Sequence, residues 1–283
     1  MRLSKTALRP RSLKPPTHMM NIKYIWHDCF ILTTESATLI FDYWKEPDGS
    51  TPQQSFLNDI DRQKPVYVFV SHHHKDHLNP EIFGWSNLLP DIHYIISNDT
   101  AKFCRHYLRP DSFCRGDKPA PESVTVLRPG ESWGDGTINV EAFGSTDIGN
   151  SYYVEVDGHS IFHAGDLNAW IWIDESTPEE VEQALEKFKF ILHDIAVRHP
   201  LIDYVMFPVD PRLGTRYWTG AEIFVREIDC RHFFPMHFTL GEDQRQCRDF
   251  VRRASDFGNY ANTQRGEYII LTEPHQQFAD FNN

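Results

Sequence analysis

The chain predicts an α+β domain in which two β-sheets pack face to face with helices on their outer surfaces. Three observations carry that expectation. Short runs of apolar, β-branched and aromatic residues recur from residue 22 to residue 271, the spacing of many short strands. Helix starts with capping signatures are interleaved among them, so neither an all-β nor an all-α packing accommodates the pattern. No internal repeat, low-complexity linker or Gly-rich nucleotide turn divides the chain.

In chain order the strands are expected at Ile22–Trp26, Phe30–Thr33, Thr38–Phe41, Val66–Val70, His93–Ile96 and Val124–Leu127. They continue at Ile138–Phe143, Tyr152–Val156, Ser160–His163, Tyr204–Phe207, His232–Pro235 and Tyr268–Leu271. Asp157-Gly158 between two of them is a hairpin signal, since both residues tolerate positive φ. The clearest helix starts at Thr177-Pro178-Glu179-Glu180: threonine caps, proline fits the first turn, and Glu180 closes a capping box. Val181, Leu185, Phe188 and Leu192 then recur on one face. Thr219-Gly220-Ala221-Glu222 predicts a second box and a helix running toward Cys230.

Composition fits a soluble enzyme and excludes several alternatives. The 283 residues suffice for one large domain, and an aromatic content of 13% supplies a large core or an aromatic-lined pocket. A formal net charge of −12 argues against a general nucleic-acid binder, which needs a basic face. Cys29, Cys104, Cys114, Cys230 and Cys247 are scattered and odd in number, as in reduced thiols of a cytoplasmic protein. No apolar run is long enough to cross a membrane. Residues 1–20 are basic and proline-punctuated and lack an apolar signal region. They are expected to form a disordered tail or extension, with organelle targeting as the minor alternative, and residues 21–283 a single domain.

The chemistry concentrates in Ser71-His72-His73-His74-Lys75-Asp76-His77, directly after the strand Val66–Val70. His72, His74, Asp76 and His77 read His-x-His-x-Asp-His, and imidazole and carboxylate are the usual protein ligands of zinc and its neighbours. Alternate residues of an extended loop point the same way, so His72 and His74 can reach one ion. After a bend, Asp76 and His77 can reach a second. His73 and Lys75 lie between and point away.

This pattern resembles the metallo-β-lactamase superfamily of metal-dependent hydrolases, and the resemblance extends over roughly residues 21 to 272. Leu39-Ile40-Phe41-Asp42 looks like that family's early strand ending in aspartate. Ile161-Phe162-His163-Ala164-Gly165-Asp166 looks like the strand followed by the Gly-Asp whose carboxylate bridges two metals, and Phe233-Phe234-Pro235-Met236-His237 like the strand that delivers the last histidine. The resemblance implies a four-layer αββα sandwich of two mixed sheets flanked by helices, and a second metal site formed by Asp76, His77, Asp166 and His237. Gly165–Asn168 and Phe207–Arg212 look most like a branch of bacterial-type hydrolases distantly similar to sugar-phosphate lactonases. One position departs. The histidine that completes the family's first site is absent from Phe143-Gly144-Ser145-Thr146-Asp147-Ile148-Gly149-Asn150, and Asp147 is the candidate oxygen ligand in its place.

The resulting expectation is a hydrolase with one or two zinc ions, manganese or iron being alternatives. A metal lowers the pKa of a bound water from about 15.7 toward about 7. Asp76 and Asp166 are the catalytic carboxylates expected to anchor the metal and orient that water. The substrate is expected to be a small molecule with an ester, lactone, amide or phosphoester bond, and self-association of the chain is compatible with the sequence. His27, Trp170 with Trp172, Asp210 and Arg212 are candidates for substrate contact, Arg212 because a guanidinium clamps carboxylate or phosphate in a bidentate manner. Two other functions compete: an iron-dependent oxygen or redox enzyme on the same scaffold, and a metal-binding protein without catalysis.

Overall fold

The computed structural model describes residues 19–108, 123–239, 267–269 and 271–280. Its strands are β1 (Met20–Trp26), β2 (Cys29–Thr33), β3 (Thr38–Phe41), β4 (Val66–Val70), β5 (Ile92–Ser97), β6 (Val124–Leu127) and β7 (Ser132–Gly134). They continue as β8 (Ile138–Gly144), β9 (Asn150–Val156), β10 (His159–His163), β11 (Leu201–Pro208), β12 (Asp229–Met236), β13 (Glu267–Tyr268) and β14 (Gln277–Asp280). The helices are α1 (Pro52–Ser55), α2 (Asn98–Phe103), α3 (Arg105–Leu108), α4 (Pro178–Arg198) and α5 (Thr219–Glu227). Residues 1–18, Cys114 and Cys247 lie outside the described residues, and β1 already begins at Met20, whose side chain is fully buried.

The strands form two sheets, ordered β14-β1-β2-β3-β4-β5-β6 and β13-β12-β11-β10-β9-β8-β7. Each is mixed in the same way. Antiparallel pairing runs from β14 to β3 and from β7 to β10, and parallel pairing runs from β3 to β6 and from β10 to β13. Parallel strands need crossovers, and the crossovers put helices outside. The 3₁₀ segment Pro80–Asn87 covers the first sheet, with Tyr94 donating to the Ile82 carbonyl at 2.8 Å and Trp85 set edge-on to Tyr43. Helices α4 and α5 cover the second sheet through Phe188 and Phe224, both against Phe207. Between the sheets, Phe41 lies on His163, Phe69 meets Tyr152, and Phe30 meets Phe234. Each such buried aromatic contributes about 1.5–3 kcal/mol, so this layer fixes how the two sheets sit. The αββα sandwich expected from the sequence is therefore present.

The α4 start matches its sequence signature: the Thr177 hydroxyl accepts from the Glu180 N–H, and the Glu180 carboxylate accepts from the Thr177 N–H. The second expected box does not form. Helix α5 has Trp218 at its N-cap position with no side-chain cap, Thr219 lies inside it with its hydroxyl donating to the Arg216 carbonyl, and Glu222 pairs with Arg226. Two strands escape the sequence pattern. β7 is a three-residue strand ending in Gly134, and β14 is a part-exposed edge strand with no apolar alternation. The last expected strand, Tyr268–Leu271, is described as a strand only at Glu267–Tyr268, and Ile270 lies outside the described residues.

The ends of β3, β4, β8, β10, β11 and β12 open onto one edge, and the loops there are packed backbone to backbone. At Gly149 φ is +77°, and an added Cβ would lie 2.1 Å from the Ser71 carbonyl oxygen and 2.6 Å from the His72 Cβ. Gly149→Ala is expected to cost about 2–4 kcal/mol, from left-handed strain plus overpacking against main chain, and to displace His72. Denaturant titration measures it, and a loss below about 0.5 kcal/mol would contradict the close approach.

Candidate metal centre

Seven segments deliver side chains to that edge. β4 leads into His72, His74, Asp76 and His77, β10 into Asp166, β12 into His237, and β3 into Asp42. β8 leads into Asp147, β11 into Asp210, and the β1–β2 turn carries His27 and Asp28. His27, Asp42, Trp170 and His237 all hold positive φ, 57°, 43°, 47° and 64°. Backbone strain of this kind persists where the surroundings over-determine it, which is often a functional site.

Asp166 stands at the middle. Its Oδ1 lies 3.2 Å from both His77 Nε2 and His237 Nε2, and its Oδ2 lies 3.4 Å from His72 Nε2. One oxygen thus faces an inner pair of imidazoles and the other an outer one. On the outer side His74 Nδ1 is 3.0 Å from His72 Nε2 and 3.3 Å from Asp147 Oδ2. Asp147 is therefore brought to the position where the expected histidine is missing. Asp147 and His74 are 39% and 46% exposed, so the outer half opens to solvent. The inner half is closed: His27, Asp28, His77 and His237 are buried, with one ligand atom each inside a 4.8 Å group. His73 turns away, as expected, with its ring nitrogen 3.0 Å from Asp99.

The inner imidazoles are aimed from behind. His77 Nδ1 donates to Asp42 Oδ2 at 3.0 Å, and Asp42 also accepts from the Ser71 N–H and hydroxyl. His237 Nδ1 donates to Asp210 Oδ2 at 3.0 Å, and Arg212 grips the same carboxylate through Nε and Nη2. A carboxylate behind an imidazole fixes the tautomer and leaves Nε2 free to bind a metal.

Several sequence expectations are corrected here. Asp210 does not present a free group to a substrate, while Arg212, which grips it, keeps its side chain 32% exposed. Asp210 is buried and its carboxylate is divided between His237 and Arg212. His27, a candidate for substrate contact, is not exposed at the opening. It is fully buried, its Nδ1 is 3.1 Å from the Thr239 hydroxyl, and its Nε2 faces Asp76 and Asp28 at 3.6 and 3.9 Å. Asp76, expected beside His77 in the second site, stands at the rim on His27 with its side chain 25% exposed. Asp28 was missed altogether. A turn aspartate usually caps its own backbone, and nothing local in Trp26-His27-Asp28-Cys29 signals burial among histidines. Trp170 does wall the centre: its indole N–H donates to the Asp166 carbonyl at 2.8 Å, and its ring stands edge-on to His237.

Charges follow the burial. Burial would raise the Asp166 carboxyl, but His77 and His237 outweigh it and hold the group well below the usual carboxylate range. For His77 and His237 burial works downward, and Asp166 followed by Asp28 lifts both well above an ordinary imidazole. Burial, then His237, pushes His27 down to about 3. Burial also lowers His72. Asp210 falls to about 2 because the bonds from His237 and Arg212 prevail over burial.

The donor set fits a divalent ion. His27 Nε2, His77 Nε2, His237 Nε2, Asp166 Oδ1 and both Asp28 oxygens are buried without a hydrogen-bond partner among the described residues. Each buried polar atom left unpaired costs about 1–3 kcal/mol, and a cation is the one partner that unprotonated imidazoles and carboxylates share. Without an ion, protons on His77 and His237 neutralise Asp166. The stability they give is complete below the unfolded imidazole pKa of about 6.5 and is lost as pH rises through the raised folded values. A metal displaces those protons, so apparent Zn²⁺ affinity is expected to rise with pH, by up to about a hundredfold per unit for two protons. Chelator competition between about pH 6 and 8 reads the slope, and a flat profile would show that neither ring is protonated in the free protein.

Comparison with known proteins agrees with this fold. Igni18, a metallo hydrolase from Ignicoccus hospitalis, shares 13% identity with a TM-score of 0.61, covering 93% of this chain and 98% of its own. The metallo-β-lactamase fold protein YhfI from Bacillus subtilis shares 11% at a TM-score of 0.57, covering 93% and 100%. CmlA, a diiron β-hydroxylase from Streptomyces venezuelae, shares 13% at 0.53, with 94% of this chain spanning 54% of that longer one. A search of curated protein sequences gave no match. The family model of the β-lactamase superfamily domain matches residues 21–181, more than half of the sequence, and with the two sheets and the histidine–aspartate edge in place, the chain belongs to the β-lactamase superfamily.

Proposed function

We propose that the protein is a metal-dependent hydrolase acting on an ester, lactone, amide or phosphoester of a small molecule. The observation that supports this most is the bridging position of Asp166 between His72 on one side and His77 and His237 on the other. A divalent ion in such a centre supplies Lewis acidity and lowers the pKa of water toward about 7. The outer half would be held by His72, His74, Asp147 and Asp166, and the inner half by His77, His237 and Asp166.

The chain's own groups prepare the reaction. Asp42 and Asp210 keep His77 and His237 in the tautomer that turns Nε2 inward. Burial opposes ionisation of Asp76, but His27 and then His77 outweigh it and keep the carboxylate charged at the rim. There it can accept a hydrogen bond from a water and orient it toward a substrate entering past His74 and Asp147. Trp170 closes the side of the pocket against His237.

The experiment is a panel of esters, lactones, amides and phosphodiesters assayed with protein loaded with Zn²⁺, Mn²⁺ or Fe²⁺. Hydrolysis that chelation abolishes and metal restores is the expected result, and turnover indifferent to chelation overturns the reading. A second reading, iron-dependent oxygen chemistry, is favoured by the oxygen-rich donor set, in which Asp28, Asp147 and Asp166 all stand among the imidazoles. CmlA, a diiron β-hydroxylase, shares the fold. Oxygen consumption by the iron-loaded protein, with no hydrolysis of any panel member, would select it. No helix among the described residues is long and apolar enough to cross a membrane. We take the partner to be a small molecule in a cytoplasmic setting, consistent with the buried free thiols Cys29, Cys104 and Cys230.

A further inference from the structure

One buried carboxylate has no place in the ligand pattern that the family resemblance implies. Asp28 is fully buried, and neither of its oxygens has a hydrogen-bond partner among the described residues. Its Oδ2 lies 3.5 Å from His77 Nδ1, but that N–H has a nearer acceptor in Asp42 Oδ2 at 3.0 Å. Its Oδ1 lies 3.9 Å from His27 Nε2, which is itself buried and unpartnered. Two unpaired ligand atoms from adjacent residues of one turn thus meet beside His77 and His237.

The turn is held in that pose. The Gly165 N–H donates to His163 Nδ1 at 3.2 Å, so His163 Nε2 carries the hydrogen and donates to the Asp28 carbonyl at 2.9 Å. One imidazole therefore ties the Asp28 backbone to the segment that carries Asp166. The His27 N–H donates to the Tyr24 hydroxyl at 2.8 Å, and Thr239 sits on His27 Nδ1. Both residues are fixed at the main chain and on the far side, while the atoms that point inward are bare. A buried carboxylate without a donor is costly to keep unless it meets a cation.

We propose that Asp28 and His27 are further ligands of the inner ion, which is then held by His27, Asp28, His77 and His237 together with the shared Asp166, with Asp76 left at the rim to meet water. This rests on the metal-centre reading above. The extra carboxylate makes the inner half a harder site than three imidazoles alone, which shifts its preference from zinc toward manganese or iron(II).

The test uses the full chain and its Asp28→Asn, Asp28→Ala and Asp166→Ala variants. Each is stripped with a chelator and then loaded with Zn²⁺ or Mn²⁺. Bound metal is counted by elemental analysis, and melting is followed with and without the ion. Asp28→Asn is expected to lower the bound metal by about one ion per chain, to lower the melting temperature of the loaded protein and to raise that of the stripped protein. The rise follows from removing a buried carboxyl whose two oxygens have no hydrogen-bond donor among the described residues. A residue that only supports His77 behaves differently: the ion count stays, affinity falls by about 10–100-fold, and the stripped variant melts lower. That result, or failure of stripped Asp28→Asn to fold, overturns the proposal while leaving the metal centre standing. Wild type that takes up no divalent ion, or Asp166→Ala that keeps every ion, overturns both.

Discussion

Asp166→Ala is expected to empty both halves of the centre and to reduce turnover by about 10³-fold or more. Asp166 faces the outer His72 with one oxygen and the inner His77 and His237 with the other. Its loss removes a ligand from each half and leaves His77 and His237 with no anion between them. A metal supplies several kcal/mol of transition-state stabilisation, and each 1.36 kcal/mol is about tenfold in rate. The stripped variant should also lose the stability that His77 and His237 draw from Asp166 below neutral pH, because both rings are raised by that carboxylate. Metal analysis with parallel turnover and melting measurements checks all three. Retention of one ion per chain would show that the two halves do not share this carboxylate.

Asp147→Ala is expected to remove the outer ion alone. Its carboxylate is 3.3 Å from His74 Nδ1, and the outer group of ligand atoms consists of His72, His74, Asp147 and Asp166. Catalytic zinc usually keeps three protein ligands and an open position. With Asp147 gone, His72 and His74 share only the bridging carboxylate, which the inner half also uses. Bound metal should fall by about one ion and turnover by about 10²-fold. Asp147→His, which returns the residue type that the family resemblance implies, should restore the count. An unchanged count in Asp147→Ala would mean that the outer half does not depend on Asp147, or holds no ion.

The sequence read alone carries most of the frame. Short runs rich in Val, Ile, Phe and Tyr in β4, β9 and β11 read as strands buried on both faces, and the box at Thr177 fixes the start of α4 by local bonds. His72, His74 and His77 are legible because their spacing within one loop already restricts where their rings can go. β7 and β14 were not legible, since a three-residue strand and an exposed edge strand are held by their neighbours and not by their own pattern. The Thr219 box does not form because the helix begins one residue earlier, with Trp218 at the N-cap position, and the threonine hydroxyl donates to the Arg216 carbonyl.

What only the tertiary structure decided is the assignment of roles among the polar residues. Asp76, Asp210, Arg212 and His27, which the sequence singled out by residue type, stand at the histidine–aspartate edge, but what each touches was not legible. Asp210 with Arg212 became the support behind His237, His27 turned inward, Asp76 stayed at the rim, and Asp28, silent in the sequence, entered the buried centre. Ligand types are a property of side chains and survive in one dimension. Which side chain is buried, and which carboxylate stands behind which imidazole, depends on the register of two sheets brought together by a core whose contacts are far apart in the chain.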